Sequence, residues 1–215
     1  MSEPTTTGTS AGTSALRTDL ALVAELIPHG SRVLDLGCGS GSLLRHLIDA
    51  KECTGTGVDG DPERLVTAIA RGVPTVQLDL DAELGEFSDD SYDVVVLSRT
   101  LQAIRRPANV LAEMGRIGTR CIVSMPNFGF WRNRVSVLFG RMPVSRQLPY
   151  TWHDSPNLRY TTLKDLEDFF AGAGYAVERR IGVTDEGVPL PRGDVATNLR
   201  AGAAVYLLRR DRPRP

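Results

Sequence analysis

Lysine is almost missing from this chain: of 25 basic residues, 23 are arginines and only Lys51 and Lys164 are lysines. Long apolar runs are missing too. No stretch approaches the roughly 18 residues of a membrane-crossing helix, and the N-terminus lacks a charged-then-apolar signal pattern. Cysteine is scarce. Cys38, Cys53 and Cys121 are odd in number and lack metal-ligand spacing, which points to reduced thiols in a cytoplasmic protein and to no metal site. Net charge is also small, at −1, and hydrophobic residues make up 41% of the 215. That balance excludes a polycation and a disordered chain, and it allows one full α/β domain with its own core. There is no internal repeat.

The most informative segment present is Val33-Leu34-Asp35-Leu36-Gly37-Cys38-Gly39-Ser40-Gly41. Strand-forming hydrophobes run into a glycine-rich turn, and a helical pattern opens at Ser42. Glycine takes positive φ and lacks Cβ, so such a turn can press its backbone against a ligand. The helix start behind it offers free N–H groups. A dinucleotide fingerprint, Gly-x-Gly-x-x-Gly, would need its third glycine at position 42, which is Ser42. Here the glycines come at every second residue, and Asp35 stands two residues before the first. A carboxylate facing the loop would repel a pyrophosphate, whereas it suits a cationic amino-acid end.

At this point the chain resembles the class I S-adenosylmethionine-dependent methyltransferases. An unliganded glycine turn and a nicotinamide or flavin site are the alternatives. The resemblance implies a cradle for S-adenosylmethionine or S-adenosylhomocysteine made by Asp35, Gly37, Cys38, Gly39 and Gly41. Cys38 is a small packing residue in that loop, with no case for a nucleophile. Asp59 ends a second strand about 20 residues on, where doubly wound sheets place an acid on ribose hydroxyls. Asp61 is the weaker alternative, because Asp61-Pro62-Glu63 reads as a helix cap and first turn. Asp79, with Leu80 beside the base, matches the position at which the family contacts adenine; an ordinary polar strand end is the other reading. Ser98, closing the fourth strand, completes the cofactor candidates.

Strands are expected at 33–36, 54–59, 76–80, 92–98, 120–125, 175–181 and 203–208, the last two forming a hairpin with a long loop. Helices are expected at 16–27, with Thr18 or Asp19 as cap, and at 42–49, 62–71, 107–116 and 162–171, with Thr161 or Thr162 capping the last. The β-α-β alternation predicts a mostly parallel seven-stranded sheet with helices on both faces, a Rossmann-like methyltransferase fold. One domain is expected over 15–209. A Thr/Ser/Gly-rich tail at 1–14 is read as disordered, and 210–215 as a second tail. Residues 127–160 show weak periodicity and read as a substrate or partner loop segment.

Ligands of open α/β sheets sit beyond the carboxyl ends of the strands, so the loops there carry the second set of candidates: Gln102, Asn127, Trp131, Arg132, Tyr150 and Trp152. Nine arginines and one acid, Glu113, lie between Arg99 and Arg146. That strip suggests a basic face for an acidic partner or anionic substrate, or merely a chain that uses Arg in place of Lys. Without repeated aromatic spacing or positive domain charge, nucleic acid is not the expected partner. His153, beside Asp154, is the one candidate general base, although a lone loop His is more often structural or exposed. Methyl transfer needs orientation more than acid–base groups, so the lack of a triad does not exclude it. The Asn-Pro-Pro-Tyr segment of amide and adenine amino methyltransferases is absent, and so is a Pro-Cys nucleophile.

Three longer segments, Leu97-Ser98-Arg99-Thr100-Leu101-Gln102-Ala103, Val123-Ser124-Met125-Pro126-Asn127-Phe128-Gly129-Phe130-Trp131-Arg132, and Gly140-Arg141-Met142-Pro143-Val144 through Leu148-Pro149-Tyr150-Thr151-Trp152, together with the glycine loop, resemble the methionine-biosynthesis protein MetW family. The resemblance runs from about 18 to about 181. It departs where the family has an Ile-Glu-Ile-Asp-like strand end, here Val58-Asp59-Gly60-Asp61. It implies a methyltransferase fold and a link to homoserine O-acetyltransferase, which such proteins are thought to support by association. The alternatives are a stand-alone small-molecule methyltransferase and a non-catalytic interaction module.

Overall fold

Val33, Leu34 and Leu36 of β1 (Arg32–Leu36) and Val94 to Leu97 of β4 (Tyr92–Ser98) are buried on both faces. Strands of that kind belong in the middle of a sheet covered on both sides. In the computed structural model, which describes residues 16–210, these two strands pair in parallel at the centre. β2 (Thr54–Asp59), β3 (Thr75–Gln77), β5 (Gly118–Pro126), β6 (Tyr175–Val183) and β7 (Ala203–Arg210) complete a seven-stranded sheet of order β3-β2-β1-β4-β5-β7-β6. β1 to β5 are parallel; β7 inserts antiparallel between β5 and β6. The expected 1–14 tail lies outside the described residues, as do 211–215, and Arg210 ends β7.

Period-two alternation sorts β1 between two cores. Leu34 and Leu36 face α4 (Pro107–Ile117) and α6 (Leu163–Gly172). Val33 faces α1 (Thr18–Leu26) and α2 (Ser42–Lys51), with Ala68 of α3 (Pro62–Ala70) in the same cluster. Asp35 shares the face of Val33, so a carboxylate is buried under α1 and α2. Strand order reverses between β1 and β4, the switch point at which α/β sheets open a crevice.

Local chemistry sets the element ends. Asp61 caps α3, accepting from the Glu63 and Arg64 amides at 3.0 and 3.4 Å. Thr162 caps α6 through the Asp165 amide. Three expectations need correction. The N-cap of α1 is Arg17, not Thr18 or Asp19; the Asp19 side chain pairs with Arg17 and Arg99 instead. β3 stops at Gln77 because the Asp79 carbonyl accepts the Ala82 and Glu83 amides, and its carboxylate accepts the Asp81 amide, closing a turn. Residues 127–160 are not all loop: α5 (Trp131–Leu138) forms there, and a short α7 (Thr197–Arg200) interrupts the β6–β7 connection.

Candidate functional site

The loop after β1 is pinned from three sides. The Gly37 and Cys38 amides both donate to the Val58 carbonyl, at 2.7 and 3.0 Å. The Gly39 amide donates to Asp59 Oδ2 at 2.9 Å. Arg71, behind α3, donates to the Ser40 carbonyl and the Ser42 hydroxyl. Gly37, Gly39 and Gly41 all have positive φ, at 76°, 54° and 72°. At Gly37 the absence of a side chain is also steric, since a Cβ would lie 2.3 Å from Thr100 Oγ1. Gly39 differs: a Cβ there would meet no protein atom within 4 Å, and the residue borders an open cleft.

That cleft, about 1060 Å³, lies at the carboxyl ends of β1, β2 and β4. It brings together Asp35, Gly37, Cys38, Gly39, Asp59, Asp79, Leu80 and Ser98, and continues past them to Gln102 and Tyr150. Gly41 is not in its wall; it starts α2, packed toward Ala68 and Val73.

Asp35 dominates the electrostatics. It is 3% exposed, and among the described residues no group donates a hydrogen bond to its carboxylate. Burial and the neighbouring Asp59 push its pKa up to about 7, with Arg17 easing it down. A buried carboxylate without donors is costly, and a cation in the cleft would supply the missing partner. Asp59 is buried as well, but its oxygens accept the Gly39 amide and, at 3.0 Å, the Asp61 amide. A carboxylate has about four acceptor positions, so it keeps capacity for ligand hydroxyls. Asp79 is half exposed and carries an ion pair to Arg105 at 2.8 Å. Leu80 packs partly against the core below it. The Ser98 hydroxyl bonds Ser124 Oγ at 2.9 Å. The Cys38 thiol is pushed up to about 12 by burial and by Asp35 and Asp59, so it is held protonated.

The second set of candidates is divided. Gln102 is buried at the cleft wall: Nε2 donates to the Arg99 carbonyl at 2.7 Å, while Oε1 has no protein donor. Tyr150 borders the same cleft and is half exposed. Asn127 is not available to a ligand or partner. It is fully buried, its amide donates to the Asn198 and Ala201 carbonyls, and its Oδ1 accepts the Gly129 amide. Trp131, Arg132, Trp152 and His153 lie outside the cleft wall. His153 is an exposed loop residue near Thr151 and against the Trp152 ring, so it is not placed to act as a base in the cleft. The arginine strip is not one free surface either: Arg99, Arg105 and Arg116 are consumed in ion pairs with Asp19, with Asp79 and Asp81, and with Glu113 and Asp89.

Residues outside the expected set complete the wall. Arg99 adopts φ +53°, rare for a residue with a Cβ, and its Nε donates to Asp19 Oδ2 at 2.8 Å. Its guanidinium also bonds Gln147 Oε1, and Gln147 in turn binds Asp185. The position of Arg99 directly after a strand at the switch point is a readable signal. Gln147 and Asp185 carry no local one.

The profile of the family described as methionine biosynthesis protein MetW matches residues 17–208. The chain belongs to that family. Among relatives, it is 34% identical over 207 residues to the bifunctional methionine biosynthesis protein MetXA/MetW of Rhodopirellula baltica, covering 91% of this chain and 33% of that protein. It is 29% identical over 165 residues to the ubiquinone biosynthesis O-methyltransferase of Aeromonas salmonicida, covering 72% of this chain and 66% of that one. This chain thus spans a third of the first relative and just under two thirds of the second. Among solved structures, a SAM dependent methyltransferase from Archaeoglobus fulgidus superposes with TM-score 0.68 at 15% identity, over 90% of this chain and 92% of that one. An S-adenosylmethionine-dependent methyltransferase from Mesorhizobium loti gives 0.67 at 19%, over 90% and 98%. This chain therefore has the class I methyltransferase fold expected from the alternation of its strands and helices.

Proposed function

We propose that this chain binds S-adenosylmethionine or S-adenosylhomocysteine in the cleft and acts in methionine biosynthesis as an activating partner of homoserine O-acetyltransferase. The observation that carries the reading is Asp35, a buried carboxylate with no hydrogen-bond donor beside a glycine loop, which fits a cationic ligand. When bound, S-adenosylmethionine supplies an electrophilic methyl on a sulfonium. Asp35 would balance the charge of its amino-acid end, and the Gly37 and Gly39 backbone would let that end approach closely. Asp59 would accept from the ribose hydroxyls while holding the loop through Gly39. Asp79 and Leu80 lie farther along the wall, where an adenine would reach. The partnership is supported by the Rhodopirellula baltica relative, whose name joins MetXA and MetW in one chain.

A methyltransferase acting on its own small substrate is the second reading. One observation favours it: the cleft, at about 1060 Å³, reaches the top of the roughly 300–1,000 Å³ range of small-molecule sites, and it continues beyond the cofactor candidates to Gln102 and Tyr150.

The deciding experiment titrates the same organism's homoserine O-acetyltransferase with this protein, with and without S-adenosylmethionine, alongside calorimetric binding of that cofactor. A stoichiometric rise in acetyltransferase rate, altered by the cofactor, is expected. A flat titration with cofactor binding intact would leave the methyltransferase reading, and no cofactor binding would leave an interaction module.

A further inference from the structure

The least satisfied surface is away from the cleft. On α5, Trp131, Val135 and Leu138 recur at i, i+4 and i+7, which lines them along one helix face. All three are exposed, whereas Asn133 points inward and is buried. Leu138 is 81% exposed and the next residue, Phe139, is 77%. This apolar stripe is held rigidly. Gly140 turns with φ +72°, its amide donates to the Val137 carbonyl at 2.9 Å, and the Arg141 amide donates to the Ser136 carbonyl at 2.9 Å. That paired closure is a Schellman motif, so Phe139 is presented by a fixed turn. Contiguous exposed apolar residues on a rigid element mark an interaction site.

Charge selects the occupant. Arg132 and Arg134 flank the stripe on α5, Arg134 bonding the Gly129 carbonyl at 2.6 Å; Arg141 follows the closing turn and Arg146 comes five residues later, and no acid occurs between Glu113 and Asp154. Among the described residues none of the four is within ion-pair distance of a carboxylate; Glu186 feels Arg132 and Arg146 from farther off. A second copy of this chain fits poorly, because a two-fold interface sets a patch against itself and would oppose arginines to arginines. A membrane surface fits less well than a protein groove, since binding there scales with the apolar area inserted and α5 offers only eight residues. Resting on the partnership proposed above, we infer that this stripe docks into an apolar groove with a carboxylate rim on the acetyltransferase. Leu138 and Phe139 are its central anchors and the arginines its steering rim.

The test uses the purified acetyltransferase of the same organism, sedimented with wild-type protein and with a Leu138→Asp, Phe139→Asp variant. Both side chains are exposed, so the variant should keep the wild-type melting temperature. It is expected to weaken binding at least about 100-fold, and wild-type affinity should fall as salt rises. If wild type binds and the variant binds within about threefold, the surface assignment fails while the partnership stands. If wild type does not bind at all, both fail together. If wild type instead dimerises through these residues, or pellets with anionic phosphatidylserine vesicles and the variant does not, the stripe has a different occupant and the proposal is overturned. A parallel Arg132→Glu, Arg141→Glu variant should lower the association rate and flatten the salt dependence; an unchanged rate would remove the acidic rim.

Discussion

Asp59 opposes the ionisation of Asp35, and both side chains are buried at neighbouring strand ends. Burial is the larger cause and Asp59 adds to it, so Asp35 is a carboxyl group with pKa about 7 in the folded chain against an ordinary value of 3.8. The native state therefore holds a proton that the unfolded chain has given up, and stability falls as pH rises from about 4 to about 7. Asp35→Asn should remove that loss: its melting temperature should exceed wild type at pH 7.5, and the gap should close near pH 4. A cation bound beside Asp35 reverses the preference and favours the carboxylate. Affinity for S-adenosylmethionine should then rise roughly tenfold per pH unit below pH 7 and level off above. Calorimetry at pH 6 in buffers of different ionisation enthalpy should show a proton released on binding. No release, or an Asn variant with the same pH profile, would sink the assignment.

Asp59 has a double task, holding Gly39 and Asp61 by their amides. Asp59→Ala should free the glycine loop as well as remove an acceptor for a ribose. Cofactor affinity is expected to drop by on the order of 100-fold, the worth of about two charge-assisted hydrogen bonds. Hydrogen exchange at the Gly39 amide should accelerate even without ligand. An unchanged exchange rate would show that the Val58 carbonyl and Arg71 suffice to hold the loop.

Gly37 tests how tightly the loop is built. An alanine there would need φ near 76° and would place its Cβ 2.3 Å from Thr100 Oγ1. Backbone strain alone costs about 1–3 kcal/mol, and the clash adds to it. Gly37→Ala should lower stability by at least about 2 kcal/mol in urea unfolding. Paired with Thr100→Ala it should recover part of that loss, because the contacts at 2.3 and 2.7 Å go with Oγ1 and Cγ2 and only the Cβ of residue 100, at 3.0 Å, stays close. If the double variant is no better than the single one, φ and not the clash sets the cost.

The parts of this molecule that could be read from sequence are those fixed by near neighbours. Gly37 to Gly41 announce a tight turn because φ and sterics are local, and the Asp61-Pro62 cap follows from two adjacent residues. The strand hydrophobes reveal the sheet through burial on both faces. Asp19 is misleading for the opposite reason: next to Thr18 it looks like a cap, yet its partner Arg99 is 80 positions away. Asn127 has the chemistry of a binding residue, and only the fold shows that its bonds run to 129, 198 and 201. α5 carries its apolar stripe outward, so the usual inward-facing signal of a helix is missing.

The thiols should be inert in the native state. Cys38 and Cys121 are both pushed up to about 12, each chiefly by burial, and Cys53 is buried as well. The thiolate is the reactive form, so a disulfide reagent at pH 8 should label close to none of the three before unfolding and all three in urea. Fast labelling of one cysteine in folded protein would contradict the packing of the glycine loop in particular, where Cys38 Sγ occupies the space left by Gly57.

The pair between Arg99 and Asp19 joins the cleft wall to α1, and its two ends are unequal. Asp19 is buried and accepts from both Arg17 and Arg99, while Arg99 keeps a side chain about one quarter exposed. Removing the acid leaves a guanidinium that burial already disfavours in its charged form. Breaking a buried pair from one side typically costs about 3–5 kcal/mol. Partial exposure of Arg99 and its remaining bond to Gln147 place Asp19→Ala near the low end, at about 3 kcal/mol. Arg99→Ala should cost less, because Arg17 still neutralises Asp19. The order of the two losses in urea unfolding is the decisive readout. If Arg99→Ala were the more damaging, the strained φ of Arg99 would be serving its own packing and not the ion pair that ties the cleft wall to α1.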